Sequence, residues 1–446
     1  MIIKNLGNFQ FAIKELKEDK NNCVLIVNEN AHSLNSNGIL ANAVFTVKDN
    51  YATKDLPTTS SSKILENFNP FYNATVIEKL LNAGALMAAK VNLDELALGG
   101  TGTFSANGLI KNPLDPSRLA GGSSSGSVAT LTNNISFALG SDTGDSVRLP
   151  ASYNGKVGFK PSYGAISRYG LFAYSSSLDT VAYFAHNVND IAVVSQVLFG
   201  KDNKDFTSLE VKIDQVQKNK PKKIAFLDLA EFINPDLAKK YEELFNLLNE
   251  DSEIKIVKIK PEVKFFRAIK PIYQIISFSE ASSNLSNLNG IAFGQRQNGK
   301  DWSQIMTNTR SVGFGEMVQW RLTLGSYFLH AANQKEIFIK AQKARRAFKN
   351  YLNEIHKNYD LVIYPASADV APLIEGTNKN YGFMEYILTG ANLVGNPSIT
   401  IPFIKINNLP INLALDSEIY SDEKLLSYSL WMEELIENNF NGGRND

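Results

Sequence analysis

Two serine-bearing glycine loops and one lysine are the residues of this chain best able to do chemistry. The run Gly121–Pro150 reads GGSSSGSVATLTNNISFALGSDTGDSVRLP, and Lys48 lies upstream, just after the apolar run Ala43–Val47. A serine hydroxyl attacks poorly unless a base removes its proton. Histidine is the usual base, but only His32, His186, His330 and His356 are present, none near the loops in sequence. A lysine can substitute where burial disfavours its ammonium form. Taken singly, a lysine at a strand end is usually a solvated flank and a Gly/Ser run a flexible turn. Their combination points to hydrolysis by Ser–Lys chemistry. The turn GSDTGDS, after an apolar strand, would aim successive N–H groups into one small space, as a tetrahedral oxyanion requires. Ser146 is then the expected nucleophile, with the amides of Thr143, Gly144, Asp145 and Ser146 as oxyanion donors. Ser123 is the expected proton relay between Lys48 and Ser146.

The elements that must position these residues alternate between strand and helix. Val24–Asn28 and Ala43–Val47 read as strands, Ala74–Ala83 as a helix with Val76, Ile77, Leu80 and Leu81 on one face, and Leu86–Ala89 as the next strand. Gly84 stops that helix. Ile135–Leu139 is a further short apolar strand running into GSDTGDS. After a lysine-rich linker, Lys218–Lys223, come Ile224–Leu227, a helix over Pro235–Asn249 and the strand Ile254–Ile259. These predict an inserted strand–helix–strand lobe, residues 201–262, laid over the main sheet. Ile337, Ala341, Ala344, Phe348 and Tyr351 form a helical stripe. The expected fold is one large α/β domain, residues 1–446, with a central mixed sheet covered by helices on both faces.

Bulk properties narrow the class. With 45 Lys+Arg against 45 Asp+Glu over 446 residues, the formal charge is zero, so no basic field attracts nucleic acid. A single cysteine, Cys23, excludes an internal disulfide and fits a reducing compartment. No signal peptide or uncharged apolar stretch of membrane-spanning length is evident, so a cytoplasmic enzyme is expected.

The order Lys48, Ser123, Ser146, in these surroundings, resembles the amidase signature family, whose members use a Ser–cis-Ser–Lys triad. The family's signature reads approximately GGSSGGS followed by GSDTGGSIR-P; this chain has GGSSSGS and GSDTGDSVRLP. The resemblance implies Lys48 as base, Ser123 as bridging serine preceded by a cis peptide, and Ser146 as acyl-forming nucleophile. Within the family the chain is most similar to the glutaminase subunits of tRNA-dependent amidotransferases. The segments KVNLDELALGG, YGAISRYGLFAYSSSLDT, SEASSNL, GFGEMVQWRLTLGSYFL and NLVGNPSITIPF carry that similarity in order. It implies that Tyr273, Arg321 and Glu385 read the α-amino and α-carboxylate groups of glutamine. It implies no cofactor or metal on this chain. The B and C subunits of the amidotransferase would be the partners. ATP, Mg and misacylated Glu-tRNA(Gln), or Asp-tRNA(Asn), would be bound mainly through the B member of that pair. A stand-alone amidase acting on other small amides is the alternative.

Several residues depart from the pattern. Asp145 and Ser125 replace family glycines, and Glu385 stands where an aspartate is usual. Ser123 and Ser146 are 23 positions apart, one fewer than usual. Fewer residues precede Lys48 than in the typical subunit, so an N-terminal helical portion is expected to be missing. An Asp145 carboxylate turned toward the oxyanion would oppose it by roughly 4 kcal/mol at 4 Å and an effective dielectric near 20, so the substitution is tolerable where the side chain points away. Two look-alikes are set aside. Gly122–Gly126 satisfies G-x-S-x-G with Ser124 central, but no acid and histidine follow in a supporting context. Gly294–Lys300 approaches a phosphate-binding loop, but Asp301 occupies the Ser/Thr place.

Overall fold

A computed structural model of the chain describes residues 1–440. Eleven strands form one mixed sheet: β1 (Val24–Val27), β2 (Val44–Lys48), β3 (Leu86–Val91), β4 (Phe137–Asp142), β5 (Val157–Lys160), β6 (Thr180–Ala185), β7 (Lys223–Leu227), β8 (Lys255–Ile259), β9 (Leu361–Pro365), β10 (Ser398–Ile406) and β11 (Leu409–Asp416). Their order across the sheet is β1-β3-β2-β4-β6-β5-β10-β11-β9-β7-β8. The β3-β2-β4 and β9-β7-β8 neighbours run parallel, and the remaining pairs are antiparallel.

Successive residues of the central strands supply opposite faces, because side chains alternate along a strand. Phe45, Val47, Phe137, Leu139, Val181 and Tyr183 enter the larger core. The helices Thr75–Asn82 and Val188–Leu198 cover that side with Val76, Ile77, Leu80 and Ile191. Val44, Ala138, Ala182 and Phe184 face the other core, closed by Ala12 and Leu16 of helix Phe9–Lys17 and by Ala151 of helix Arg148–Asn154. Helices therefore cover both faces.

Three sequence expectations are corrected in detail. β2 extends to Lys48, so the lysine is a strand residue rather than one following it. β4 runs through Gly140, Ser141 and Asp142, which pair with Ala182, Val181 and Thr180 of β6. The turn is thus confined to the residues after Asp142. The strand–helix–strand excursion exists as β7, helix Pro235–Glu250 and β8, but it extends the sheet instead of lying over it. β7 pairs with β9 and satisfies backbone groups that an edge strand would leave open. Among the described residues, no helix is long and apolar enough to cross a membrane.

Candidate active site

Lys48 ends β2 with its side chain fully buried. Its Nζ lies 2.8 Å from Ser123 Oγ, 2.9 Å from Ser124 Oγ and 2.9 Å from Ser141 Oγ. No carboxylate forms an ion pair with it among the described residues. Burial is the largest influence and lowers its pKa from 10.5 to about 7, against the opposing pull of Asp94, Asp142 and Asp179. A substantial neutral fraction near neutrality makes this amine competent to accept a proton.

Ser123 follows a cis peptide after Gly122. A Cβ at Gly122 would fall 2.2 Å from Asp94 Oδ2, so only glycine fits there. Asp94 is held by the N–H groups of Thr101 and Gly102 (3.1 Å each) and Phe104 (2.9 Å). The Ser124 N–H donates to the Ser146 carbonyl at 3.3 Å, which joins the two serine loops.

The turn bearing Ser146 is braced from within the core. Arg148 Nη2 donates to Asp142 Oδ1 at 3.0 Å, to the Gly144 carbonyl at 2.8 Å and to Asn392 Oδ1 at 2.6 Å, and its Nε donates to Asp142 Oδ2 at 3.1 Å. Asp142 Oδ2 also accepts the Val147 N–H at 3.0 Å. Because a trans peptide sets C=O and N–H on opposite sides, pinning the Gly144 carbonyl toward Arg148 turns the Asp145 N–H the other way. Among the described residues, the N–H groups of Gly144, Asp145 and Ser146 donate to no protein acceptor. They are the kind of fixed, unpaired donors that can receive a developing oxyanion. Thr143 is tied by its hydroxyl to Asp179 Oδ1 at 2.7 Å.

Ser146 is nearly buried, and its Oγ makes no hydrogen bond to a described residue. The expected link from Ser123 Oγ to Ser146 Oγ is therefore open, while the Lys48–Ser123 link is closed. Catalytic hydrogen bonds commonly tighten only when substrate fills the site.

A cavity of about 430 Å³ opens beside the turn, lined by Asp145, Tyr153, Tyr273, Arg321 and Glu385 among others. Tyr273, on helix Val263–Asn284, lies against the turn: a Cβ at Gly144 would meet its ring at 3.1 Å. Arg321, on helix Glu316–Leu329, donates to Tyr174 Oη at 3.0 Å and sits 5.1 Å from the Phe278 ring centroid. Glu385 is exposed on the short turn Gly382–Tyr386 at the cavity wall. Asp145 lines the cavity, and its neighbours Gly144 and Arg148 occupy the core side of the turn. Burial pushes its carboxyl up to about 7; nearby Asp142 adds to the rise, and Arg148 and Arg321 oppose it.

Sequence reasoning missed Ser124 and Ser141 as partners of Lys48, and Tyr174 as partner of Arg321. The serines had a signal, since both lie inside the two singled-out loops; Tyr174 had none. Ser124 Oγ faces the lysine and the Ser141 carbonyl (3.1 Å), not a histidine, which removes the G-x-S-x-G reading. Asp301 caps helix Trp302–Gly313 by accepting the Gln304 N–H at 2.8 Å, which gives it a structural task in the phosphate-loop look-alike.

The chain belongs to the amidase family, whose family model, described as Amidase, matches residues 13–426. Its relatives narrow the comparison. It is 38% identical over 437 residues to the glutamyl-tRNA(Gln) amidotransferase A subunit of Mycoplasma genitalium, covering 94% of this chain and 91% of the relative. It is also 38% identical to the Sulfolobus acidocaldarius protein of the same name, covering 90% and 86%. The crystal structure of the glutamyl-tRNA(Gln) amidotransferase A subunit from Thermotoga maritima superposes with a TM-score of 0.80 at 33% identity, covering 97% of this chain and 92% of that one.

Proposed function

We propose that this chain is the glutaminase subunit of a tRNA-dependent amidotransferase. The observation that carries the reading is the buried Lys48 amine, paired among the described residues only with hydroxyls and a carbonyl, beside a cavity containing Arg321. Glutamine enters with its side-chain amide over Ser146. Its α-carboxylate meets the Arg321 guanidinium, which can donate two parallel hydrogen bonds, while Tyr273 and Glu385 contact the remaining polar groups. Ser146 Oγ attacks the amide carbon; its proton passes to Ser123 as the Ser123 proton passes to neutral Lys48. The amides of Thr143, Gly144, Asp145 and Ser146 hold the oxyanion. As the tetrahedral species collapses, the C–N bond breaks and the relay returns a proton to the leaving nitrogen, releasing ammonia. Water then attacks the glutamyl ester, with Lys48 and Ser123 again accepting the proton, and glutamate departs.

In this reading ammonia passes to a companion B subunit, steadied by a small third member of the complex, the C subunit. The B companion holds ATP, Mg and misacylated Glu-tRNA(Gln), and Asp-tRNA(Asn) is a second candidate acceptor. The names of the relatives support such an assembly, and the chain's zero formal charge fits a tRNA site lying elsewhere. Ser146→Ala in the assembled enzyme is the test. Glutamine-dependent amidation should disappear while amidation from added ammonium persists. Loss of both activities, or survival of both, refutes the assignment.

A further inference from the structure

Asp145 is a carboxylate left without a partner in the substrate cavity. It precedes Ser146, lines the cavity with Arg321, Tyr273 and Glu385, and accepts no side-chain hydrogen bond or ion pair among the described residues. Its acidic neighbour Asp142 is committed to Arg148, Asn392 and the Val147 N–H. Arg321 acts on Asp145 through space, but its Nη1 is taken by Tyr174 and no contact joins the two among the described residues. A half-buried carboxylate in that position calls for a cation, because burying a charge is costly unless it is paired. An anion beside the nucleophile also opposes a forming oxyanion, so whatever fills the cavity should neutralise it.

Resting on the glutaminase reading, we infer that Asp145 binds the α-ammonium of the substrate, and that Arg321 and Asp145 together select a zwitterionic amide over an amide lacking the amine. Burial raises the carboxyl's pKa to about 7, so without a cation beside it the group takes up a proton, and a cation would hold it ionised. Asp145 is then both a specificity residue and a condition for turnover. A des-amino amide leaves the carboxyl unpaired beside the oxyanion, neutral only in the fraction that has taken up a proton, whereas glutamine brings its own neutralising group. Glu385, exposed on the cavity wall, is then a second acceptor for the same ammonium from the solvent side.

The test compares glutamine with glutaramate, which is glutamine without its α-amine, on the assembled wild-type enzyme and on Asp145→Asn, Asp145→Gly and Glu385→Gln. Wild type should prefer glutamine by at least about 100-fold in kcat/KM, the scale on which sites built around a polar group reject analogues lacking its partner. Both Asp145 variants should shrink that preference below about 10-fold, through a higher KM for glutamine and faster turnover of glutaramate. A merely structural role would slow both substrates equally and leave the ratio intact, which overturns the assignment. Collapse of the ratio in Glu385→Gln but not in Asp145→Asn also overturns it, in favour of Glu385. Wild type that discriminates as expected, with Ser146→Ala losing glutamine hydrolysis, keeps the glutaminase reading alive whatever the Asp145 variants do. Wild type that hydrolyses neither amide refutes that reading and this inference with it.

Discussion

The pH profile of glutamine hydrolysis should carry the signature of a lysine forced to be neutral. At pH 7.5 an amine with a pKa of about 7 is roughly three-quarters neutral, whereas one at the ordinary value near 10.5 is about 0.1% neutral. Burial of Lys48 therefore raises its competent fraction by about 10³, equivalent to ~4 kcal/mol of barrier. The sign is fixed: only the neutral amine accepts the serine proton, so kcat/KM should rise with pH, bend near pH 7 and level off until the α-ammonium of free glutamine itself deprotonates at the alkaline end. Since kcat/KM reports ionisations of the free enzyme, the assay is initial-rate glutamine hydrolysis by the assembled enzyme between about pH 5.5 and 9.5. Asp145 titrates in the same range, with its carboxyl pushed up to about 7, and Asp179 lies near 6. Asp145→Asn separates the contributions. A rising limb that survives in the variant belongs to Lys48. A profile flat from pH 6 to 8.5, or a limb that vanishes with Asp145 while turnover persists, refutes the reasoning.

Stability should respond in a linked way. Lys48→Met should abolish hydrolysis yet leave the fold at least as stable at pH 7, by up to ~2 kcal/mol. Neutralising the buried amine at pH 7 costs about 4 kcal/mol, and the lost hydrogen bonds offset only part of the relief. Ser124 and Ser141 retain other partners, so Ser123 bears most of that loss. The unfolded chain holds more protons than the folded one between pH 7 and 10.5, so wild-type stability climbs across that window. Urea unfolding at pH 7 and 9.5 checks both the offset and the slope, which the Met variant should lack at this site. Asp142→Asn should lower stability by about 3–5 kcal/mol, because it strands the buried Arg148 guanidinium. Glutamine turnover should fall with it as the Ser146 turn loosens, and a thermal melt unchanged from wild type would contradict the bracing role.

The sequence was most legible where chemistry and periodicity were local. Lys48, Ser123 and Ser146 could be singled out from residue type and order, and the helices Thr75–Asn82 and Pro235–Glu250 from apolar spacing and breakers. The three residues after Leu139 were hidden because Gly, Ser and Asp favour turns. They are strand residues only because β6 pairs with them, a contact no local pattern encodes. The same non-local register places Ser141 against the lysine. Tyr273, Arg321 and Glu385 come from three separate elements, and only resemblance, not spacing, could bring them to one cavity. For Asp145 the sequence left the direction of the side chain open, and sterics decide it. The core side of its turn is filled by Arg148, so the carboxylate has only the cavity to enter.

Three buried lysines show why a depressed pKa does not by itself make a base. Lys90 is as deeply buried as Lys48, but Asp49 stands 2.9 Å away and supplies a counterion, so the charge is paired and structural. Lys160, like Lys48, is lowered to about 7 by burial. Its Nζ, however, donates to the carbonyls of Pro161 (2.9 Å) and Asn396 (2.6 Å), which have no proton to hand on. Lys48 alone of the three has a cluster of serine hydroxyls and no carboxylate against its nitrogen. The acids around it are engaged elsewhere: Asp94 by backbone N–H groups, Asp142 by Arg148, and Asp179 by Thr143 and the N–H groups of Tyr174 and Ser175. They lie close enough to limit the fall in pKa, yet none contacts the amine. A hydroxyl can accept one proton while donating another, so in the proposed mechanism it is this arrangement, rather than burial alone, that would make a neutral lysine the end of a proton path.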